Sequence, residues 1–206
     1  MSSKIKHKVF VIGFQKTGTT SLEHALQFLG YRVYGGDKNL LKFENNKDLK
    51  AYIQKTLQQW DAVQDMPWPQ VYKELYDLYP DAKFILTIRD TDKWIQSVVK
   101  YFASIRVPLH RKIYNVPCAE GHEEVYKTIY NKHNDEVLKF FETKNNFIVM
   151  EQGRNFDYKT LCTFLEIDDI PQADFPHARN NKKRKLPNYR IYRDIRSLYW
   201  NFKKKY

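Results

Sequence analysis

The residues that most constrain this chain are its first apolar run and the loop behind it. Val9-Phe10-Val11-Ile12 is short, mostly β-branched and ended by Gly13, which reads as a buried strand. The loop Gly13-Phe14-Gln15-Lys16-Thr17-Gly18-Thr19 follows, and then Leu22, Ala25, Leu26 and Leu29 recur at helical spacing until Gly30 ends the pattern. The unit is therefore strand, glycine loop, helix. In an α/β sheet ligands bind at the C-terminal ends of the strands, which is where this loop lies. Its glycines let backbone N–H groups approach an anion, and the helix N-terminus adds partial positive charge. Lys16 brings a full charge, and Thr17, Thr19 and Thr20 bring hydroxyls. A cradle for a phosphate-type anion is the functional reading; a tight turn with an incidental lysine is the plain one.

The same alternation continues. Leu49, Ile53 and Leu57 predict a helix, Ala62-Val63-Gln64-Asp65 a short strand, and Trp68, Val71, Tyr72, Leu75 and Leu78 an amphipathic helix. Lys83-Phe84-Ile85-Leu86-Thr87-Ile88 is the clearest strand. Arg89-Asp90 stand at its C-terminal end, and a helix follows through Trp94, Ile95, Val98, Val99 and Phe102, with Thr91 or Asp92 as its expected cap. Residues 106–121 read as an irregular acceptor loop. Val125, Ile129, Val137 and Phe140 predict a long helix, Phe147-Ile148-Val149-Met150 a fourth strand, and Tyr158, Leu161, Cys162 and Leu165 another helix. A basic segment from His177 to Arg190 precedes a closing helix through Ile191, Ile195, Leu198 and Phe202. Strands that alternate with helices predict an α/β domain with a mostly parallel sheet, and 206 residues favour a single domain over 1–206.

The order of residues in the loop separates two chemistries. The nucleoside triphosphate P-loop reads G-x-x-x-x-G-K-[ST]. Here the lysine precedes the second glycine, and Thr19 stands where the P-loop lysine would be. The Lys16-Thr17-Gly18-Thr19-Thr20 stretch instead resembles the 5′-phosphosulfate loop of sulfotransferases that use 3′-phosphoadenylyl sulfate (PAPS). That resemblance implies a P-loop-like three-layer sandwich. It also implies PAPS as sulfuryl donor, with the 3′,5′-bisphosphate PAP as product. Gln15, Lys16, Thr17, Gly18, Thr19, Thr20 and Ser21 would hold the donor's 5′ end. The family also needs a site for the ribose 3′-phosphate: an arginine at a strand end and a serine about two turns into the next helix. Arg89 and Ser97 fit that description.

Three positions depart from the cytosolic members. Ser21 stands where many of them carry a tryptophan that stacks on adenine. Their C-terminal Arg-Lys-Gly has its nearest counterpart in Arg179-Asn180-Asn181-Lys182-Lys183-Arg184, which assigns Arg179, Lys182 and Lys183 to the donor. The base in the cytosolic members is a histidine in a His-x-Pro context. The corresponding stretch here is Gln64-Asp65-Met66-Pro67, which makes Asp65 the candidate general base and Lys16 its catalytic partner. Asp37, Glu44 and His110 are the other candidates for the base, and a helix cap or a pairing with Lys16 is the structural alternative for Asp65.

Charge and composition narrow the rest. A formal net charge of +11 says that the chain meets anions without saying which. No ribonucleoprotein, helix-turn-helix or zinc-finger signature supports nucleic acid as the partner. The two cysteines form no CxxC pair and the six histidines are scattered, so no metal is expected. The polar start and the lack of a membrane-length apolar stretch lead to an expectation of a soluble, cytoplasmic protein, with a domain of a membrane-anchored enzyme as the alternative. Trp68, Tyr101, Phe102 and Tyr114 offer an aromatic acceptor wall, with Trp94 better placed as core. Arg106, His110, Arg111 and Lys112 offer a basic one, so a small molecule and a glycan both stand as acceptors. A nucleotide kinase and a non-catalytic nucleotide- or polyanion-binding protein are the competing functions.

Overall fold

The structure, a computed structural model, describes residues 7–177. Its centre is a five-stranded sheet in the order β2-β3-β1-β4-β5. The strands are β1 (Val9–Val11), β2 (Val33–Tyr34), β3 (Ala62–Val63), β4 (Lys83–Ile88) and β5 (Phe147–Glu151), and each pairing is parallel. All of β1 is buried because it lies between β3 and β4 and is covered on both faces. This is why it reads as an unbroken apolar run rather than as an alternating one. The edge strand β2 has only two residues, too few to carry a pattern, and it was not expected from the sequence.

Seven helices connect and cover the strands among the described residues: α1 (Thr19–Phe28), α2 (Asn46–Leu57), α3 (Tyr72–Leu78), α4 (Thr91–Phe102), α5 (Pro108–Tyr114), α6 (Glu123–Phe141) and α7 (Tyr158–Leu165). Alternate residues of the central strands face opposite layers. Val9, Val11 and Ile85 pack with Leu22, Leu26, Leu161 and Leu165 of α1 and α7. Phe10, Ile12, Phe84 and Leu86 pack with Ile53, Leu57, Leu75, Val137 and Phe141 of α2, α3 and α6. The result is an α/β three-layer sandwich. A third apolar cluster joins α4, α5 and α6 through Trp94, Ile95, Val98, Tyr114, Tyr126 and Tyr130, and it reaches the sheet through Phe14.

Several local expectations change. The pattern from Trp68 to Leu78 splits into a 3-10 turn at Trp68–Val71 and then α3. The cap of α4 is Asp90, whose carboxylate accepts from Lys93 N at 3.0 Å, rather than Thr91 or Asp92. Residues 106–121 contain α5. The buried stripe of α6 is Tyr126, Tyr130, His133, Val137 and Phe141: of the expected Val125, Ile129, Val137 and Phe140, Val137 is on it and the other three stand one position away. Stacked rings fill that interface: Tyr114 on Tyr126 at 3.7 Å and Trp94 on Tyr130 at 4.1 Å between centroids. Among the described residues no helix is long and apolar enough to cross a membrane. The predicted closing helix, and Arg179, Lys182 and Lys183, lie outside the described residues.

Candidate active site

The chain leaves β1 toward one edge of the sheet and leaves the neighbouring β4 toward the other. The crevice between two strands that diverge in this way is where open α/β sheets bind ligands. The loop after β1 is fitted tightly against β4. A Cβ on Gly13 would fall 2.1 Å from Thr87 Oγ1 and 2.3 Å from Thr87 O, so only glycine allows the approach. Thr17 Oγ1 donates to Phe14 O at 2.6 Å and meets Thr87 Oγ1 at 2.6 Å. The Thr17 hydroxyl is thus committed to the loop's own architecture. His133 Nε2 donates to Ile12 O at 2.8 Å. Burial pushes the His133 imidazole down to about 4, so it serves as a neutral brace under the loop.

Lys16 has φ 70 and Gly18 φ 100, two left-handed residues that curl the loop onto the start of α1. Gly18 caps α1 without a side-chain hydrogen bond, and Phe156 packs so closely that a Cβ on Gly18 would lie 2.8 Å from its ring. The Lys16 ammonium stands 4.2 Å from the centroid of Tyr101, in the last turn of α4. Gln15 is 5% exposed. Its Nε2 donates to Tyr114 Oη at 2.7 Å, and its carbonyl accepts from Trp94 Nε1 at 2.8 Å. Its side-chain amide is therefore directed at α5. Thr20 and Ser21 are half-buried in the first turn of α1, and Thr19 is buried.

At the end of β4, Tyr130 Oη donates to Arg89 O at 2.9 Å and accepts from Arg89 N at 3.0 Å. This clamp fixes the backbone from which the half-buried Arg89 side chain departs. Ser97 is half-buried two turns along α4. Lys16 and Arg89 thus follow the C-terminal ends of adjacent strands.

Asp65 follows β3, on the other side of β1, and it too has a left-handed backbone, with φ 68. Its Oδ1 accepts from Met66 N at 2.8 Å, and its carbonyl accepts from Trp68 N at 3.1 Å. Gly36 lies against this turn: a Cβ there would be 2.2 Å from Met66 O. The neighbouring Gln64 donates to Glu23 Oε2 at 2.9 Å. Burial raises the Glu23 carboxyl, and the Asp65 charge adds to the effect. The same charge adds to the burial that raises the Tyr114 hydroxyl, so the field of Asp65 reaches both α1 and α5.

The other candidates for the base are engaged elsewhere or exposed. Asp37 is 4% exposed, accepts from Tyr52 Oη at 2.5 Å and caps a 3-10 turn through Asn39 N. His110 is buried against Tyr126 Oη at 3.2 Å, and burial pushes it down to about 4. Glu44 is exposed. Of the expected aromatic wall, Trp68, Trp94 and Tyr114 are core residues, Phe102 is half-buried and Tyr101 is exposed. Trp68 donates to Gly35 O at 2.9 Å. Arg106, Arg111 and Lys112 are exposed, and Lys112 reaches Leu41 O at 3.3 Å.

A cleft of about 250 Å³ adjoins the start of α1, with Ser21, Arg154, Phe156, Pro176 and His177 in its wall. Sequence reasoning missed it because the segments after β5 and after α7 meet there only in the fold. Among the described residues no group of three or more histidine, cysteine, aspartate or glutamate side chains is placed to hold a metal ion.

A parallel sheet with a glycine-lysine loop after its central strand defines a P-loop-like α/β domain. A family model described as "Sulfotransferase domain" matches residues 8–119 and 106–184, and the chain belongs to this family. A solved sulfotransferase from Alicyclobacillus acidocaldarius shares its fold, with a TM-score of 0.50 at 18% identity over 81% of this chain and 84% of that one. The chain is also 25% identical to the Ava biosynthesis cluster protein M of Aspergillus versicolor, over 94% of this chain and 86% of that protein.

Proposed function

We propose that residues 1–206 act as a single PAPS-dependent sulfotransferase domain that moves a sulfuryl group onto a hydroxyl or amine of a small-molecule or glycan acceptor. The observation that carries this reading is the placement of Lys16 and Arg89 after adjacent parallel strands. Two neighbouring cationic sites suit a nucleotide phosphorylated on both its 5′ and 3′ oxygens. In the reading, backbone N–H groups of residues 15–21 and the Lys16 ammonium receive the 5′-phosphosulfate, and Arg89 and Ser97 receive the 3′-phosphate. The cleft beside Ser21 and Phe156 gives adenine an aromatic surface where tryptophan is missing. The acceptor oxygen attacks sulfur, the bond from sulfur to the bridging phosphate oxygen breaks, and PAP leaves. Asp65 takes the acceptor's proton, and Lys16 meets the charge that grows on the departing phosphate. A sulfuryl group carries less charge than a phosphoryl group, so a lysine and backbone donors serve without a metal.

Thermal unfolding tests the donor class. A ligand that binds only the folded state raises Tm, and the expected result is a rise with PAP that exceeds the rise with ATP and magnesium. A larger rise with ATP-magnesium would favour a kinase, and no rise with either would favour a polyanion-binding protein.

The 3′-phosphate site has its own test. Arg89→Ala should weaken PAP binding by about 1.5–3 kcal/mol. Ser97→Ala should cost about 0.5–1.5 kcal/mol. Adenosine 5′-phosphosulfate, which lacks the 3′-phosphate, should bind both variants nearly as it binds the wild type. Calorimetry with the two nucleotides decides it: equal losses for both would remove Arg89 and Ser97 from that role.

A further inference from the structure

Two consecutive loop residues are grasped by the α4–α5 unit. Gln15 is bonded to Tyr114 and Trp94, and Lys16 lies under Tyr101. We propose that the Tyr101 ring is a positioning residue that seats the Lys16 ammonium and so sets the rate of sulfuryl transfer. This rests on the reading of Lys16 as the group that meets the leaving phosphate.

The geometry supports a seat rather than a passing contact. A cation 4.2 Å from a ring centroid is well inside the range of about 6 Å over which the ring's negative face attracts it. The two partners are anchored independently. The Lys16 backbone is held in its left-handed conformation between Gln15, whose carbonyl is bonded, and Thr17, whose hydroxyl is bonded. Tyr101 extends from a helix fixed by the buried Trp94, Ile95 and Val98, and its ring meets Phe102 edge-on at 4.8 Å. A lysine side chain has four rotatable bonds and loses much rotamer freedom when it must stay in one place. An aromatic face limits that freedom without neutralising the charge, as a carboxylate would. Tyr101 is 39% exposed, so its ring stands at the surface beside the loop rather than in the core.

The test has two readouts, one of them independent of activity. Reductive methylation with 13C-formaldehyde labels the lysines, and Lys16→Arg identifies the Lys16 signal. That signal should be shifted upfield by the ring current of Tyr101, keep the shift in Tyr101→Phe, and lose it in Tyr101→Leu. Turnover is then read as acceptor-free hydrolysis of PAPS to PAP. Tyr101→Leu should lower kcat by about 5- to 30-fold while the Kd for PAP changes by less than about three-fold, and Tyr101→Phe should restore the rate to within about three-fold of wild type. An unshifted Lys16 signal in the wild type, or equal rates for the Leu and Phe variants, would overturn the proposal. If the wild type binds no PAP, the donor reading fails by itself, and the assignment of a rate-setting role to Tyr101 falls with it, whatever the ring-current shift shows.

Discussion

Lys16→Ala is expected to lower sulfuryl transfer by a factor of hundreds to a thousand while the protein stays folded. Groups aimed at the oxygen that gains charge in the transition state are worth about 2.7–4 kcal/mol. Lys16 is the cation that the loop itself carries there. The left-handed backbone at Lys16 does not confuse the result, because lysine and alanine both carry a Cβ at φ 70 and bear similar strain. The lysine side chain is half-buried at the loop and outside the three apolar clusters, so its removal opens no core cavity. Tm should therefore move by only a few degrees. The measurement is turnover of PAPS by the purified variant beside its melting curve. Turnover within a few-fold of wild type would reject Lys16 as the group that stabilises the leaving phosphate.

Asp65→Asn should reduce turnover by roughly 100-fold or more with PAP affinity nearly unchanged. The substitution fits this site unusually well as a test. Asparagine tolerates φ 68 as readily as aspartate does. It also keeps an acceptor oxygen for Met66 N, which Asp65 Oδ1 serves at 2.8 Å. What disappears is the charge and the basic oxygen. A carboxylate can serve where the proton moves late, as it does when kinases use aspartate toward a hydroxyl. Surviving turnover would place the base elsewhere, and a collapse of PAP binding would make Asp65 a donor-site residue. The fold narrows the alternatives: Asp37 and His110 are bonded and buried within the protein.

The reading of the chain as strand, glycine loop and helix survived because each part is local. Val9–Val11 is apolar on both faces since both faces are covered, and Leu22, Ala25 and Leu26 share one side of α1 because the helix repeats every 3.6 residues. The strand Lys83–Ile88 was legible for the same reason. Two short elements were not. The two residues of β2 carry no alternation, and α5 hides in a stretch with prolines at both ends. On α6 the expectation placed Val137 correctly but followed Val125, Ile129 and Phe140, whereas the buried face also takes in Tyr126 and Tyr130, which stack, and His133, which burial keeps neutral.

Sequence alone therefore determined the alternation of strands and helices and the family, since both lie in short-range pattern and motif order, and it offered Lys16 and Arg89 as expected cationic positions. Tertiary structure alone decided what those positions touch. It brought Gln15 to Tyr114 across 99 positions of chain, set Tyr101 over Lys16, braced Ile12 with His133 and closed Phe156 onto Gly18. Periodicity encodes which side of an element is buried, but not which distant side chain arrives there, because that depends on the crossing of helices over the sheet. The same physics turned Trp68 and Tyr114 from candidate acceptor contacts into core. A large aromatic ring in a small α/β domain is stabilised most by complete burial, and the helices packed over the C-terminal edge of the sheet supply it.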